Sequence, residues 1–166
     1  MKKQFKNFVA AGVCMLLAFS YGCKDALPLC EPADLIPAPV EIAAKPGCIS
    51  ADVLVSLPEK VKVSQKAFLR YLEGQELADW QLKSAYRMEI SPKSVKIEAA
   101  DEQGVFYARQ SLKMMAAIND TVACCTVLDW PRFQHRGFML DESRHYQGKE
   151  FVLKQLEMMS RLKLNC

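Results

Sequence analysis

The 166-residue sequence predicts an α+β layer domain followed by a single β-loop-α unit of a parallel α/β structure. Three observations predict this. Residues 86–90 (YRMEI) and 95–99 (VKIEA) alternate apolar and polar side chains around the short turn Ser91-Pro92-Lys93-Ser94, a hairpin signal. Residues 101–118 repeat Val105, Ala108, Leu112 and Met115 at helical spacing, with Asp101 placed to cap the start. Beyond Pro131, the apolar run Gly137-Phe138-Met139-Leu140 is followed by a loop and an amphipathic helical pattern over residues 150–164.

Taken in chain order, residues 1–22 read as a processed export signal. Lys2, Lys3 and Lys6 precede an apolar run at residues 8–19 (FVAAGVCMLLAF) that is too short to favour a membrane span. Ser20-Tyr21-Gly22-Cys23 resembles a bacterial lipoprotein cleavage box, with Ser20 where leucine is usual. A lipid anchor on Cys23 is therefore expected, and an ordinary secretory signal is the alternative. Residues 23–34 form a tether, in a stretch where Pro28, Pro32, Pro37, Pro39 and Pro46 disfavour helix.

Residues 35–128 hold the α+β domain. Residues 39–42 read as extended, residues 53–57 (VLVSL) as a strand, and residues 64–80 as a helix with Phe68, Leu69 and Leu72 on one side. The hairpin and the helix at 101–118 follow, with the helix covering one face of the sheet. Asp129-Trp130-Pro131-Arg132 marks a boundary, because Pro131 interrupts pairing and biases Trp130 away from helix. In the unit at 129–166, Val152, Leu156 and Met159 share a face of the helix. A lone β-loop-α unit cannot bury both faces of its strand, so it reads as the first piece of a parallel structure.

Composition narrows the function. Removing residues 1–22 takes away three lysines and no acids, so the formal charge falls from +3 to zero and a nucleic-acid partner loses its basis. Cys30, Cys48, Cys124, Cys125 and Cys166 show no metal spacing, so no metal is expected. Cys30 and Cys48 are able to form a disulfide in an oxidising compartment, and an odd count leaves at least one thiol free. Small cysteines without function are the preferred reading.

Three stretches carry a family resemblance. They are "LIPAPVEI" (35–42), "AYRMEISPKSVKIEAADEQGVFYARQSLKMM" (85–115) and "DWPRFQHRGFMLDESRHYQGKEFVLKQLEMMSRLKLN" (129–165). Together they resemble the family 20 glycoside hydrolases, the β-N-acetylhexosaminidases. The resemblance implies an accessory α+β domain followed by a (β/α)8 TIM barrel of which this chain carries strand 1 and helix 1, since a whole barrel takes about 250 residues. It also implies an exo-acting hydrolase removing terminal N-acetylglucosamine or N-acetylgalactosamine from glycans, without metal or cofactor. The substrate's own acetamido oxygen acts as nucleophile, so the protein supplies a general-acid glutamate and an adjacent orienting aspartate.

The family places that pair after glycines, behind a middle barrel strand. Asp101-Glu102 and Asp141-Glu142 lack both features, so no catalytic residue is expected in this chain and its isolated turnover is expected to be nil. Asp101-Glu102 suits a helix start. Arg136 matches the family's arginine for hydroxyls of the terminal sugar, since a guanidinium fork spans two vicinal hydroxyls. Without the resemblance it reads as a boundary arginine in a surface ion pair. Asp141, Arg144 and His145 match the family's "Asp-x-Ser-Arg-His" run and are read as loop support. The preferred reading for Arg144 and His145 is an ion pair or hydrogen bond with Asp141. His135 is read as packing or solvent-facing.

The export signal and Cys23 imply a membrane-anchored outer-membrane or periplasmic protein of a Gram-negative bacterium, or a secreted one without lipidation. A non-catalytic glycan- or partner-binding lipoprotein built on the accessory domain is the alternative. Exposed apolar faces on the terminal unit would favour aggregation and count against it. A third reading, another glycosidase family with a similar α+β domain, is disfavoured by the run "RGFMLDESRH".

Overall fold

The structure, a computed structural model, describes residues 34–166. The elements are β1 (Glu41–Ser50), α1 (Ala51–Ser56), β2 (Glu59–Val63), α2 (Gln65–Phe68), a 3-10 turn (Leu69–Tyr71), α3 (Asp79–Ser84), β3 (Tyr86–Ser91), β4 (Ser94–Ala99), α4 (Glu102–Ile118), β5 (Thr121–Asp129) and α5 (Lys149–Arg161). One five-stranded sheet has the order β1-β5-β3-β4-β2. All pairings are antiparallel except that of β2 with β4.

The expected hairpin is β3–β4, in register from Tyr86 opposite Ala99 to Ser91 opposite Ser94. Ser91 closes its two-residue turn by accepting from the Ser94 amide at 3.2 Å and donating to the Ser94 carbonyl at 2.8 Å. The alternation in sequence becomes two faces. Tyr86, Met88 and Ile90 are fully buried, while Arg87 and Glu89 lie on the opposite face and are half-buried. Val95, Ile97, Val105, Ala108, Leu112 and Met115 complete the core between the hairpin and α4.

Asp101 caps α4 by accepting from the Gln103 amide at 3.2 Å. Gly104 in its first turn explains how closely the helix sits on the sheet. A Cβ there would lie 2.3 Å from the Ala85 carbonyl oxygen and 3.0 Å from the Ala99 Cβ. Only glycine permits that backbone approach.

Two segments of the sheet domain differ from expectation. Residues 51–56 form a helix instead of a strand at 53–57. Only Leu54 in it is buried, and Val53 and Val55 face solvent, so there is no sheet face for an alternating strand to cover. The helix expected over 64–80 breaks in the middle, because Glu73 and Gly74 adopt positive φ values of 48° and 86°. Phe68, Leu72, Leu82 and Ala85 then form a second cluster against Leu128 and Trp130, and Leu69 is exposed. Strands β2 and β5 add pairing that local patterning did not reveal.

The sheet face away from α4 is polar near β3 and β4. The Glu98 carboxylate accepts from Arg70 at 2.8 Å, from Tyr71 and from Lys96 at 3.1 Å, with Arg87 at 3.6 Å. The Arg70 and Arg87 guanidinium groups lie 4.7 and 4.8 Å from the Tyr71 ring centroid. Burial alone would push Glu98 up, but hydrogen bonds from Tyr71 and Lys96 outweigh it and hold the carboxyl below its ordinary value. A hydrogen bond from Lys45 lowers Glu89 in the same direction.

Cys48 is disulfide-bonded, which corrects the preference for cysteines without a role. Cys30, its expected partner, lies outside the described residues. Cys124, Cys125 and Cys166 are free. Burial raises the Cys124 thiol, and burial together with its neighbour Cys124 pushes Cys125 up to about 11. Among the described residues no helix is long and apolar enough to cross a membrane.

The C-terminal part begins with an irregular segment, and residues 137–140 do not form the expected strand. Met139 is 90% exposed and Phe138 48% exposed. Pairing is nonetheless begun. The Cys166 amide donates to the Arg136 carbonyl at 3.3 Å and the Phe138 amide to the Cys166 carbonyl at 3.0 Å. That pattern, centred on Gly137, is the slanted exchange of a parallel pair joined through α5.

Candidate functional site: a cleft between the sheet and the C-terminal unit

A cavity of about 280 Å³ lies where the end of β5 meets the C-terminal segment, bordered by Tyr86, Tyr107, Asp129, Trp130, Arg136 and Lys163 among others. Each wall has a local cause. Tyr86 opens β3 and Asp129 closes β5, and the register sets the two opposite each other. Tyr107 projects from α4, one turn after Gly104 brings that helix against the sheet. Pro131 then turns the chain toward Arg136.

Arg136 commits three donors inside the chain. Its Nε donates to the Lys163 carbonyl at 2.8 Å, Nη1 to the Phe133 carbonyl at 2.7 Å, and Nη2 to the Tyr107 hydroxyl at 3.3 Å. The guanidinium also sits 5.8 Å from the Tyr107 ring centroid. A guanidinium carries five N–H groups, so two stay without an acceptor among the described residues. Asn165 fixes the backbone nearby, accepting from the Arg136 amide at 2.9 Å and donating to the Gln134 carbonyl at 2.9 Å.

Below the arginine lies a buried polar network. Lys163 Nζ donates to Asp129 Oδ2 at 2.7 Å and to the Tyr86 hydroxyl at 2.9 Å. Tyr86 in turn shares a 2.7 Å hydrogen bond with Ser111 of α4 and donates to Asp129 at 3.3 Å. Burial, and then the Asp129 charge, push the Tyr86 phenol well above its ordinary value. It is a neutral hydrogen-bonding group throughout the ordinary pH range. Asp129 Oδ2 is engaged by both the Lys163 ammonium and the Tyr86 phenol, so its side chain is committed within the chain.

The other expected residues lie elsewhere. Asp141 Oδ1 accepts from the amides of Ser143 and Arg144 at 3.1 and 3.3 Å, and Arg144 pairs with Asp141 Oδ2. This is the ion pair preferred from sequence. The Arg144 side chain is 88% exposed, and such surface pairs contribute about 1 kcal/mol or less. His145 is exposed, and neither it nor Asp141 nor Arg144 borders the cavity. His135 is exposed and packs over Gly137, where a Cβ would meet its Nε2 at 2.8 Å. Cys23 lies outside the described residues. Among those residues no cluster of three or more His, Cys, Asp or Glu could hold a metal.

Sequence reasoning located Arg136 but not Lys163, Asp129, Tyr86 or Tyr107 as its surroundings. Lys163 and Asp129 are 34 positions apart and neither lies in a repeating pattern. The one available signal was an acid at the end of an apolar run, in "TVLDW".

The cleft offers aromatic surface, spare guanidinium donors and an occupied carboxylate, a set suited to holding a hydroxyl-bearing ring and not to proton transfer. The profile described as "Glycosyl hydrolase family 20, domain 2" matches residues 76–130, and "Glycosyl hydrolase family 20, catalytic domain" matches residues 133–166. The two matches together take in more than half of the chain, and the chain belongs to glycosyl hydrolase family 20.

Its relatives include the N,N'-diacetylchitobiase of Vibrio harveyi, 33% identical over 119 residues that span 70% of this chain and 13% of that protein. Beta-hexosaminidase B of Pseudoalteromonas piscicida is 32% identical over 81 residues, 48% of this chain and 10% of that protein. The crystal structure of a beta-N-acetylhexosaminidase from Bacteroides fragilis superposes with a TM-score of 0.58 at 26% identity, covering 80% of this chain and 32% of that one. The chain thus spans about a tenth of the length of these two curated relatives.

Proposed function

We propose that this chain is the N-terminal part of an exo-β-N-acetylhexosaminidase that removes terminal β-linked N-acetylglucosamine or N-acetylgalactosamine from glycans by substrate-assisted, retaining catalysis. The observation that carries the reading is the match of the family's catalytic domain to residues 133–166, the segment that holds Arg136. In this reading Arg136 binds hydroxyls of the terminal sugar through its uncommitted N–H groups, and Asp141, Arg144 and His145 support the following loop. The general acid and its neighbouring aspartate come from catalytic-domain residues after Cys166. Domain limits of 35–128 and 129–166 accompany the proposal, as does an exported location with Cys23 as lipid attachment point.

The test is hydrolysis of a chromogenic N-acetylglucosaminide. The purified 166-residue chain is expected to release no chromophore above buffer, and a chain carrying a complete catalytic barrel is expected to hydrolyse it. Turnover by the short chain would overturn the placement of the acid, and inactivity of the complete one would overturn the hydrolase reading. In the same host, Cys23→Ala is expected to move the protein from the membrane to the soluble fraction; an unchanged distribution removes the anchor.

A further inference from the structure

Helix α5 ends in a two-bond cap. The Leu164 amide donates to the Met159 carbonyl at 2.9 Å and the Lys163 amide to the Ser160 carbonyl at 3.2 Å, with Lys163 in the left-handed region at φ 57°. This is the Schellman arrangement, in which the left-handed position is most often glycine because a Cβ is disfavoured there. A lysine at that position needs a separate reason. Its side chain supplies one, since the ammonium is buried against Asp129 and Tyr86 and lies 5.1 Å from the Tyr86 ring centroid.

The same turn aims the Lys163 carbonyl at Arg136 Nε, 2.8 Å away. One residue therefore joins two domains' worth of contacts. Its side chain is fixed by β3 and β5, and its backbone fixes the guanidinium. Ser111 and Tyr107, both on α4, close the chain of hydrogen bonds at its two ends, through Tyr86 and Arg136 respectively.

We propose that Lys163 is a positioning residue for Arg136: anchored to the accessory sheet through Asp129 and Tyr86, it sets the orientation of the guanidinium, so that the accessory domain determines where the arginine points. The functional meaning of this rests on the reading of Arg136 as sugar-binding, but the geometry and its test do not.

Lys163→Gly separates capping from positioning, because glycine suits the left-handed turn and removes only the anchor. Lys163→Met is the companion variant, keeping side-chain volume without charge. The readout is solvent exchange of the Arg136 Nε–H, followed by ¹⁵N NMR on the purified 166-residue chain and assigned by its loss in Arg136→Lys. Both variants are expected to fold, by far-UV circular dichroism, and to exchange that proton about tenfold faster, the factor expected for loss of one hydrogen bond of ordinary net strength. Unchanged exchange in either folded variant overturns the proposal. Loss of folding in both overturns it as well, because Lys163 would then hold the fold and not the arginine. Neither outcome depends on hydrolysis, so failure here is distinguishable from failure of the hydrolase reading.

Discussion

The sheet domain and the C-terminal unit solve the same problem in different ways. Between β3, β4 and α4, apolar side chains face one another, and Tyr86, Met88, Ile90, Val95, Ile97 and Met115 have no exposed surface. In residues 133–166 many large apolar side chains are exposed and others, such as Phe151 and Met159, are only half-buried. None of the α5 residues is buried, and Phe133, Met139, Leu153, Leu156 and Met158 are exposed. What fixes this second region is polar: the Lys163 anchor, the Arg136 donors and the Asn165 clamp. A core holds a region through area removed from water, whereas a few buried hydrogen bonds hold one through geometry.

The largest expected effect tests the core. Gly104→Ala would push a Cβ into the Ala85 carbonyl, 2.3 Å away on rigid backbone. It is expected to lower unfolding stability by about 3 kcal/mol, at the upper part of the usual overpacking range. Urea unfolding followed by circular dichroism measures it. A loss under about 0.5 kcal/mol, typical of surface changes, would show that α4 can retreat and that the contrast between the regions is weaker than drawn.

An intermediate effect comes from the polar sheet face. Glu98 and Glu89 are held below their ordinary values when folded. Their contribution to stability is therefore complete above about pH 4.3, the ordinary glutamate value. It is lost as pH falls through the lower folded-state values. The urea midpoint is expected to drop between about pH 7 and about pH 3, and to drop less in Glu98→Gln. A variant with the same acid sensitivity as the parent would remove Glu98 from the account.

The smallest effect belongs to the C-terminal unit. Leu156→Ser on the exposed face of α5 is expected to change stability by no more than about 0.5 kcal/mol and to raise solubility by reducing exposed apolar surface. A loss above 1.4 kcal/mol, a tenfold change in the folding equilibrium, would mean that this face is covered in solution.

How much of this was legible in sequence follows from the range of the interactions. The β3–β4 hairpin and α4 were visible because their signals are local: alternation, a proline turn, a capping aspartate and a helical period. β5 was missed because "TVACCTVLD" is almost continuously apolar and does not alternate, as a strand paired on both sides permits. The run at 53–57 was misread because four apolar residues in five suit either state, and the β1–β5 pairing ends just before it with the Ala51 amide donating to the Asp120 carbonyl. The candidate site was half legible. Arg136 stands in a recognisable run, but Lys163, Asp129 and Tyr86 meet only after the sheet and α5 are both in place.

Strand β2 is one edge of the sheet, opposite β1, and every residue of it is exposed. Its outer backbone groups are an open template onto which another extended chain could hydrogen-bond. The strand sequence is Glu59-Lys60-Val61-Lys62-Val63, and Arg109 of α4 pins Glu59 at 3.0 Å. A second copy adding its own β2 in parallel register would bring Lys60 and Lys62 beside identical lysines, and like charges in facing positions oppose pairing. Two lysines in a strand of five residues discourage sheet-to-sheet polymerisation at that margin.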